Sequence, residues 1–138
     1  MVDERRVRRL LQRIADDLAW LVERRAGDRS SLRADADRLA ALKYRFVTAI
    51  EGCINVAQHL CASEGWGPPA SNADAMHVLA RQGVITAELA EVLARTVGFR
   101  NVLVHGYAEV DDDLVVAQLD RVDRLEGFVA AVARWITG

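Results

Sequence analysis

The chain has 138 residues, enough for one domain whose core needs no disulfide or metal staple. Half of it is apolar (51%), little of it aromatic (6%), and only two residues are proline, which favours helices over a sandwich or barrel. The formal net charge of -2 excludes a domain that gathers nucleic acid by bulk charge, so any RNA or nucleotide would have to be held by a local basic patch. Of the 18 basic residues only Lys43 is lysine; with so much alanine, this reads as compositional bias first and phosphate chemistry second. No apolar run approaches the roughly 18 residues of a membrane span. The segment Met1 to Arg9 lacks a signal-peptide core, and a cytoplasmic protein is expected.

Taken in chain order, residues 5–25 have the period of a helix. Val7, Leu10, Leu11, Ile14, Leu18, Leu21 and Val22 share one arc at about 100° per residue. Arg5, Arg9 and Arg13 lie on the other side at i, i+4, i+8. They read as a solvated face, with a basic stripe for RNA as the alternative. Gly27 to Ser31 break the pattern. A longer helix is expected from 31 to 63, with Leu39, Leu42, Phe46, Ile50, Cys53, Ala57 and Leu60 as its seam and Val47, Ile54 and Cys61 alongside. Glu51, Asn55 and His59 form a polar line on this apolar helix. They line a cleft, or they are buried polar groups satisfied by neighbouring helices. Cys53 and Cys61 are separated by about 12 Å of helical rise, too far for a mutual disulfide, so both are expected to be reduced and buried.

Gly65-Trp66-Gly67-Pro68-Pro69 stops that helix. Ser71 or Asn72 caps a short one to about Gln82, and Thr86 caps the next. Ile85, Leu89, Val92, Thr96, Phe99 and Leu103 follow the spacing of a core seam. Gly98 within it points to close packing or a site, and Gly106 to a left-handed helix end. Asp111-Asp112-Asp113 suits the positive end of a last helix. Three adjacent aspartates cannot all face one metal ion, so capping is favoured. Val115, Leu119, Val122, Leu125, Val129, Val132 and Ile136 complete the final seam. The expected architecture is an all-α, up-and-down bundle of four main helices plus one short helix, with residues 1–138 as a single domain.

The candidate chemistry is narrow. Only His59, His77 and His105 offer imidazoles, and none has metal-ligand spacing with a carboxylate or cysteine, so neither a metal nor a cofactor is expected. His77 sits beside core positions as a structural or exposed residue. No nucleophile elbow or glycine-rich phosphate loop is present. The concentration lies in Arg100-Asn101-Val102-Leu103-Val104-His105-Gly106-Tyr107. Arginine suits phosphate, histidine moves protons near neutral pH, and a phenol orients a group or accepts one. Arg100 and His105 would stand about 140° apart on an ideal helix. Either the helix ends near His105 or a symmetric partner supplies the second set. Asn101 shares a face with His105 and could orient its ring.

At these residues the chain resembles the HepT-like toxins of the HEPN domain superfamily. Their motif of Arg, four to six residues, His, any residue and Tyr is met by Arg100, His105 and Tyr107. Val97-Gly98-Phe99-Arg100-Asn101, Val110-Asp111, Ile50 to His59, Leu79-Ala80 and Gly83 to Thr86 extend the likeness over most of residues 40 to 125. The resemblance implies a HEPN-like bundle and a metal-independent endoribonuclease, cutting RNA in a cleft between the subunits of a homodimer. It also implies the toxin of a toxin–antitoxin pair, type II by older classing and type VII by its enzymatic antitoxin. The implied partner, an MntA-like nucleotidyltransferase, silences the toxin by transferring AMP to the motif tyrosine, here Tyr107. On that reading Arg100 and His105 are catalytic, with Asn101 and Tyr107 positioning. The alternative is a non-catalytic HEPN module that partners the nucleotidyltransferase or binds nucleotide; a helical dimer with a redox role through Cys53 or Cys61 is a weaker third.

Overall fold

The computed structural model describes residues 1–106 and 110–138, and every regular element among them is helical. Helix α1 spans Glu4–Ala26 and starts where the Asp3 carboxylate accepts the Arg6 N–H. Glu4 in its first turn and Arg24 and Arg25 in its last match the helix dipole. Val7, Leu11, Ile14, Leu18 and Leu21 form its buried face, as the periodicity indicates.

The long second helix is in fact two. Helix α2 (Arg29–Ala34) ends at Asp35, and α3 (Ala36–Ser63) begins there. Asp35 adopts an extended backbone (φ -107°, ψ 108°), and its carboxylate accepts the N–H groups of Asp37 and Arg38. A short acidic side chain satisfies orphan amides at a helix start better than it serves a helix interior. Helix α4 (Asn72–Arg81) is capped by Ser71, and α5 (Ala87–His105) by Thr86, both as expected.

The last helix also divides. Asp111 caps α6 (Asp112–Ala117), a 3₁₀ turn covers Gln118–Arg121, and α7 runs Val122–Thr137. The tighter turn brings positions i and i+3 into line. Leu119 and Val122 stand three apart and both are fully buried there. The four main helices are therefore α1, α3, α5 and α7, and α2, α4 and α6 are short where one short helix was expected. The bundle stands, with two breaks that helical periodicity alone does not reveal.

Helix α3 packs along α1 and also touches α4, α5 and α7. Phe46 of α3 meets Phe99 of α5 edge to face at 5.7 Å, and Trp66 meets Trp135 of α7 at 5.8 Å. Cys53 and Cys61 are free and buried, and burial pushes both thiols up. A protonated, enclosed thiol is a poor nucleophile. None of the helices among the described residues is long and apolar enough to cross a membrane.

Two glycines differ from expectation. Gly98 packs closely on nothing among the described residues: a Cβ added there would meet none of their atoms within 4 Å. Gly106 is not left-handed, with φ -83° and ψ -16°. Its N–H reaches the Val102 carbonyl at 2.7 Å, and an added Cβ would lie 2.5 Å from that same oxygen. Close approach, rather than handedness, calls for glycine there.

The acidic turn is an anchor. Asp112 pairs with Lys43 at 2.8 Å and Asp113 with Arg33 at 2.8 Å, while Arg29 grips Asp120 with two bonds of 2.6 and 3.1 Å. These pairs tie α2 and α3 to the chain that follows the Arg–His–Tyr motif. The bond from Arg29 holds the Asp120 carboxyl below its ordinary value. A depressed carboxyl contributes stability that is present above its unfolded value and lost as pH falls through the folded one. The loss therefore belongs to the acid side of about pH 4.

Two outcomes follow. In Gly52→Ala the new Cβ would lie 2.6 Å from Cγ1 of the buried Ile14. Overpacking of about 1–3 kcal/mol should exceed the roughly 1 kcal/mol gained in helix propensity and lower the urea midpoint. In Arg29→Ala, carboxyl NMR should show Asp120 titrating at a higher pH than in the parent; an unmoved titration would mean that the bond is absent in solution.

Candidate functional site

Helix α5 delivers the motif. Its seam residue Phe99 rests on Phe46, and this contact turns the next residue, Arg100, toward α3. The Arg100 side chain is only 20% exposed, yet it carries a full charge. Its Nη2 donates to Glu51 Oε1 at 3.0 Å and its Nη1 to Asn101 Oδ1 at 2.8 Å. Nε is buried with no partner among the described residues. A guanidinium held this way has a fixed plane, which is what recognition of a phosphate requires.

Asn101 thus does something other than expected. Its amide oxygen accepts from Arg100, and no hydrogen bond joins it to His105 among the described residues. A charged donor on the adjacent residue outcompetes a ring one turn away. His105 is the last residue of α5 and is exposed, with no hydrogen bond or ion pair among the described residues. The helix runs regularly to its end, so Arg100 faces α3 while His105 faces outward. One protomer does not close the two onto each other. Tyr107 lies outside the described residues.

The polar line on α3 divides. Glu51 holds Arg100. Asn55 is exposed and lines a groove between α1 and α3. His59 is elsewhere: its Nε2 accepts the Asp3 N–H at 3.4 Å, and its carbonyl accepts from Ser63 Oγ at 2.7 Å, so it secures the start of α1. Of the two readings open for these three residues, the cleft fits Glu51 and Asn55, and satisfaction by a neighbouring helix fits His59. His77 is 36% exposed with Nε2 4.0 Å from Glu91, in keeping with its bland reading.

The groove itself was not foreseen. It encloses about 540 Å³ and is lined by Arg13, Tyr44, Arg45, Thr48, Glu51 and Asn55, among others. Asp17, 13% exposed, accepts from Arg45 at 3.0 Å and from Thr48 Oγ1 at 2.7 Å. The available signal was the spacing of Tyr44, Thr48, Glu51 and Asn55, which places polar or amphipathic residues on one face of an otherwise apolar helix.

The fold and motif together define a helical bundle of the HEPN class whose α5 carries Arg100 and, as its last residue, His105 of the arginine–histidine–tyrosine motif. The chain belongs to the Ribonuclease HepT-like family, whose model matches residues 5–132. It is similar to the mRNA nuclease HepT of Shewanella oneidensis, 33% identical over 90 residues, which are 65% of this chain and 68% of that protein. Its structure is similar to that of the tri-AMPylated S. oneidensis HEPN toxin in complex with MNT antitoxin. There the TM-score is 0.85 at 26% identity, over 97% of this chain and 99% of that one. A toxin–antitoxin structure with AMP-PNP gives a TM-score of 0.83 at 26% identity, over 96% and 99% of the two chains.

The Arg100–Glu51 pair should be measurable. A double-mutant cycle with Glu51→Ala and Arg100→Ala is expected to return a coupling of about 0.5–1 kcal/mol in urea unfolding, the modest value fitting a half-exposed carboxylate. A coupling of zero would show the two groups to be independent.

Proposed function

We propose that this chain is the endoribonuclease toxin of a toxin–antitoxin pair, cutting RNA without metal and silenced by AMP transfer to Tyr107. The observation that carries the reading is the fixed guanidinium of Arg100, five residues before an exposed His105 that has no partner among the described residues, in a member of a ribonuclease family. The similarity to a toxin solved in its AMPylated form with its MNT antitoxin supports the silencing step.

The chemistry runs on side chains alone. His105 takes the proton of a ribose 2′-OH, whose oxygen attacks the adjacent phosphorus while the 5′-oxygen leaves with a proton from an imidazolium. Arg100 neutralises the charge that grows on the phosphoryl oxygens, with Glu51 and Asn101 setting its plane. In silencing, the phenol oxygen of Tyr107 forms a bond to the α-phosphorus of a nucleoside triphosphate, and pyrophosphate leaves. The added phosphate and nucleoside place bulk and negative charge where RNA must approach.

The outward face of α5 supports a homodimer. Gly98 and His105 are seven positions apart and so share that face, with Val102, 51% exposed, close by. A mid-helix glycine costs about 1 kcal/mol relative to alanine, and nothing among the described residues packs against Gly98. A second copy of α5 approaching across Gly98 accounts for it and would bring the partner's own histidine toward Arg100.

Purified protein is expected to cleave single-stranded RNA in EDTA, with His105→Ala reducing the rate by about 10²–10⁴. Full activity of that variant, or cleavage that vanishes on chelation, would refute the mechanism. RNA left intact by the wild-type chain, alongside tight binding of a nucleotidyltransferase, would favour the non-catalytic module.

A further inference from the structure

We propose that the groove between α1 and α3 is a nucleotide subsite, holding an RNA residue next to the scissile bond with its phosphate on Arg13 and its base stacked on Tyr44. This rests on the ribonuclease reading above and extends it to where the strand runs. Glu51 is shared: it lines the groove and holds Arg100, so the groove opens directly beside the motif arginine.

The cations in and beside the groove are not equivalent. Arg45 is committed to Asp17 and Arg100 to Glu51, but Arg13 has no carboxylate within 4.0 Å among the described residues. Asp16 is engaged by the Gln12 amide and Asp17 by Arg45 and Thr48. Arg13 is thus the exposed cation left to meet a phosphate. Tyr44 is 65% exposed on the helix that forms the opposite wall. An aromatic face beside a free guanidinium is the combination that single strands use, since every base has a π-face and every linkage a charge.

A second observation lies along α1. Arg5, Arg6 and Arg9 are exposed and make no ion pair among the described residues. Arg5 and Arg6 stand in the first turns, where the helix dipole disfavours cations. Their presence there does not help α1 fold. Arg9 and Arg5 follow Arg13 at steps of about 6 Å, and they continue a charged path leading from the groove. The solvated face expected from sequence is then also a track for the strand.

The test uses His105→Ala protein, which binds without cutting, and a fluorescent single-stranded RNA in anisotropy titrations over a range of salt. Adding Arg13→Gln should weaken binding about tenfold and reduce the slope of log K against log salt by about 0.7. Tyr44→Leu should weaken binding about tenfold with the slope unchanged, and Tyr44→Phe should restore it. Arg81→Gln, which removes the same charge from α4, should leave the slope as it was. Variants at 13 and 44 that bind like their parent would overturn the subsite while RNA cleavage by wild-type protein kept the ribonuclease reading intact. Wild-type protein that neither cuts nor binds RNA would bring down both. Melting curves matching the parent establish that each exposed substitution leaves the fold unchanged.

Discussion

The structure turns on one constraint, the demand that α3 be buried on almost every side. This 28-residue helix contacts α1, α2, α4, α5, α6 and α7, and eleven of its residues are buried, from Leu39 to Cys61. Its packing is tight enough that Gly52 leaves room only for Ile14 of α1. What remains uncovered is one strip between α1 and α5, carrying Tyr44, Glu51 and Asn55. The open strip is where the polar side chains of α3 gather. Arg100 reaches the strip from α5 and Arg13 from α1.

Charge follows the same logic. Seventeen arginines in an acidic chain would be paradoxical if they acted alike. Several are spent holding secondary elements together: Arg29 and Arg33 fasten α2 to the segment after the motif, and Arg45 neutralises Asp17. Others, namely Arg5, Arg6, Arg9 and Arg13, make no ion pair among the described residues. The polarity of the molecule therefore comes from which cations are already paired, a property that net charge cannot express. The two elements that flank the motif differ in anchorage: α5 is set by apolar packing through Phe99, and α6 by ion pairs.

Much of this was legible in advance. Helical periods placed the seams of α1, α3 and α7, because burial selects residues at 3.6-residue spacing. In α5 the buried residues are Ala90, Leu93 and Val97, one position on from the expected Leu89, Val92 and Thr96. Those three are only half-buried, because α5 turns a neighbouring stripe to the core. Ser71 and Thr86 were readable as caps because a side-chain oxygen serves the amides two and three residues on, a local matter. Asp35 was equally local and went unread, since apolar spacing continued through it. The 3₁₀ turn at Gln118–Arg121 was beyond reach, because it answers to the burial of both Leu119 and Val122. The motif residues could be named, but not their partners: Asn101 was matched with His105 by spacing and in fact serves Arg100.

What the sequence determined by itself is the helical class, the seams of α1, α3 and α7, most of the caps and the Arg100, His105, Tyr107 motif as a pattern, all of which depend on residues within a few turns of one another. What only tertiary structure decided is which polar groups meet. Arg100 finds Glu51 across 49 positions, His59 finds Asp3 across 56, and Arg13 comes to share a groove with Tyr44. Side-chain pairing between helices depends on how they rotate and cross as they pack, and that is settled by the whole core rather than by any local run of residues.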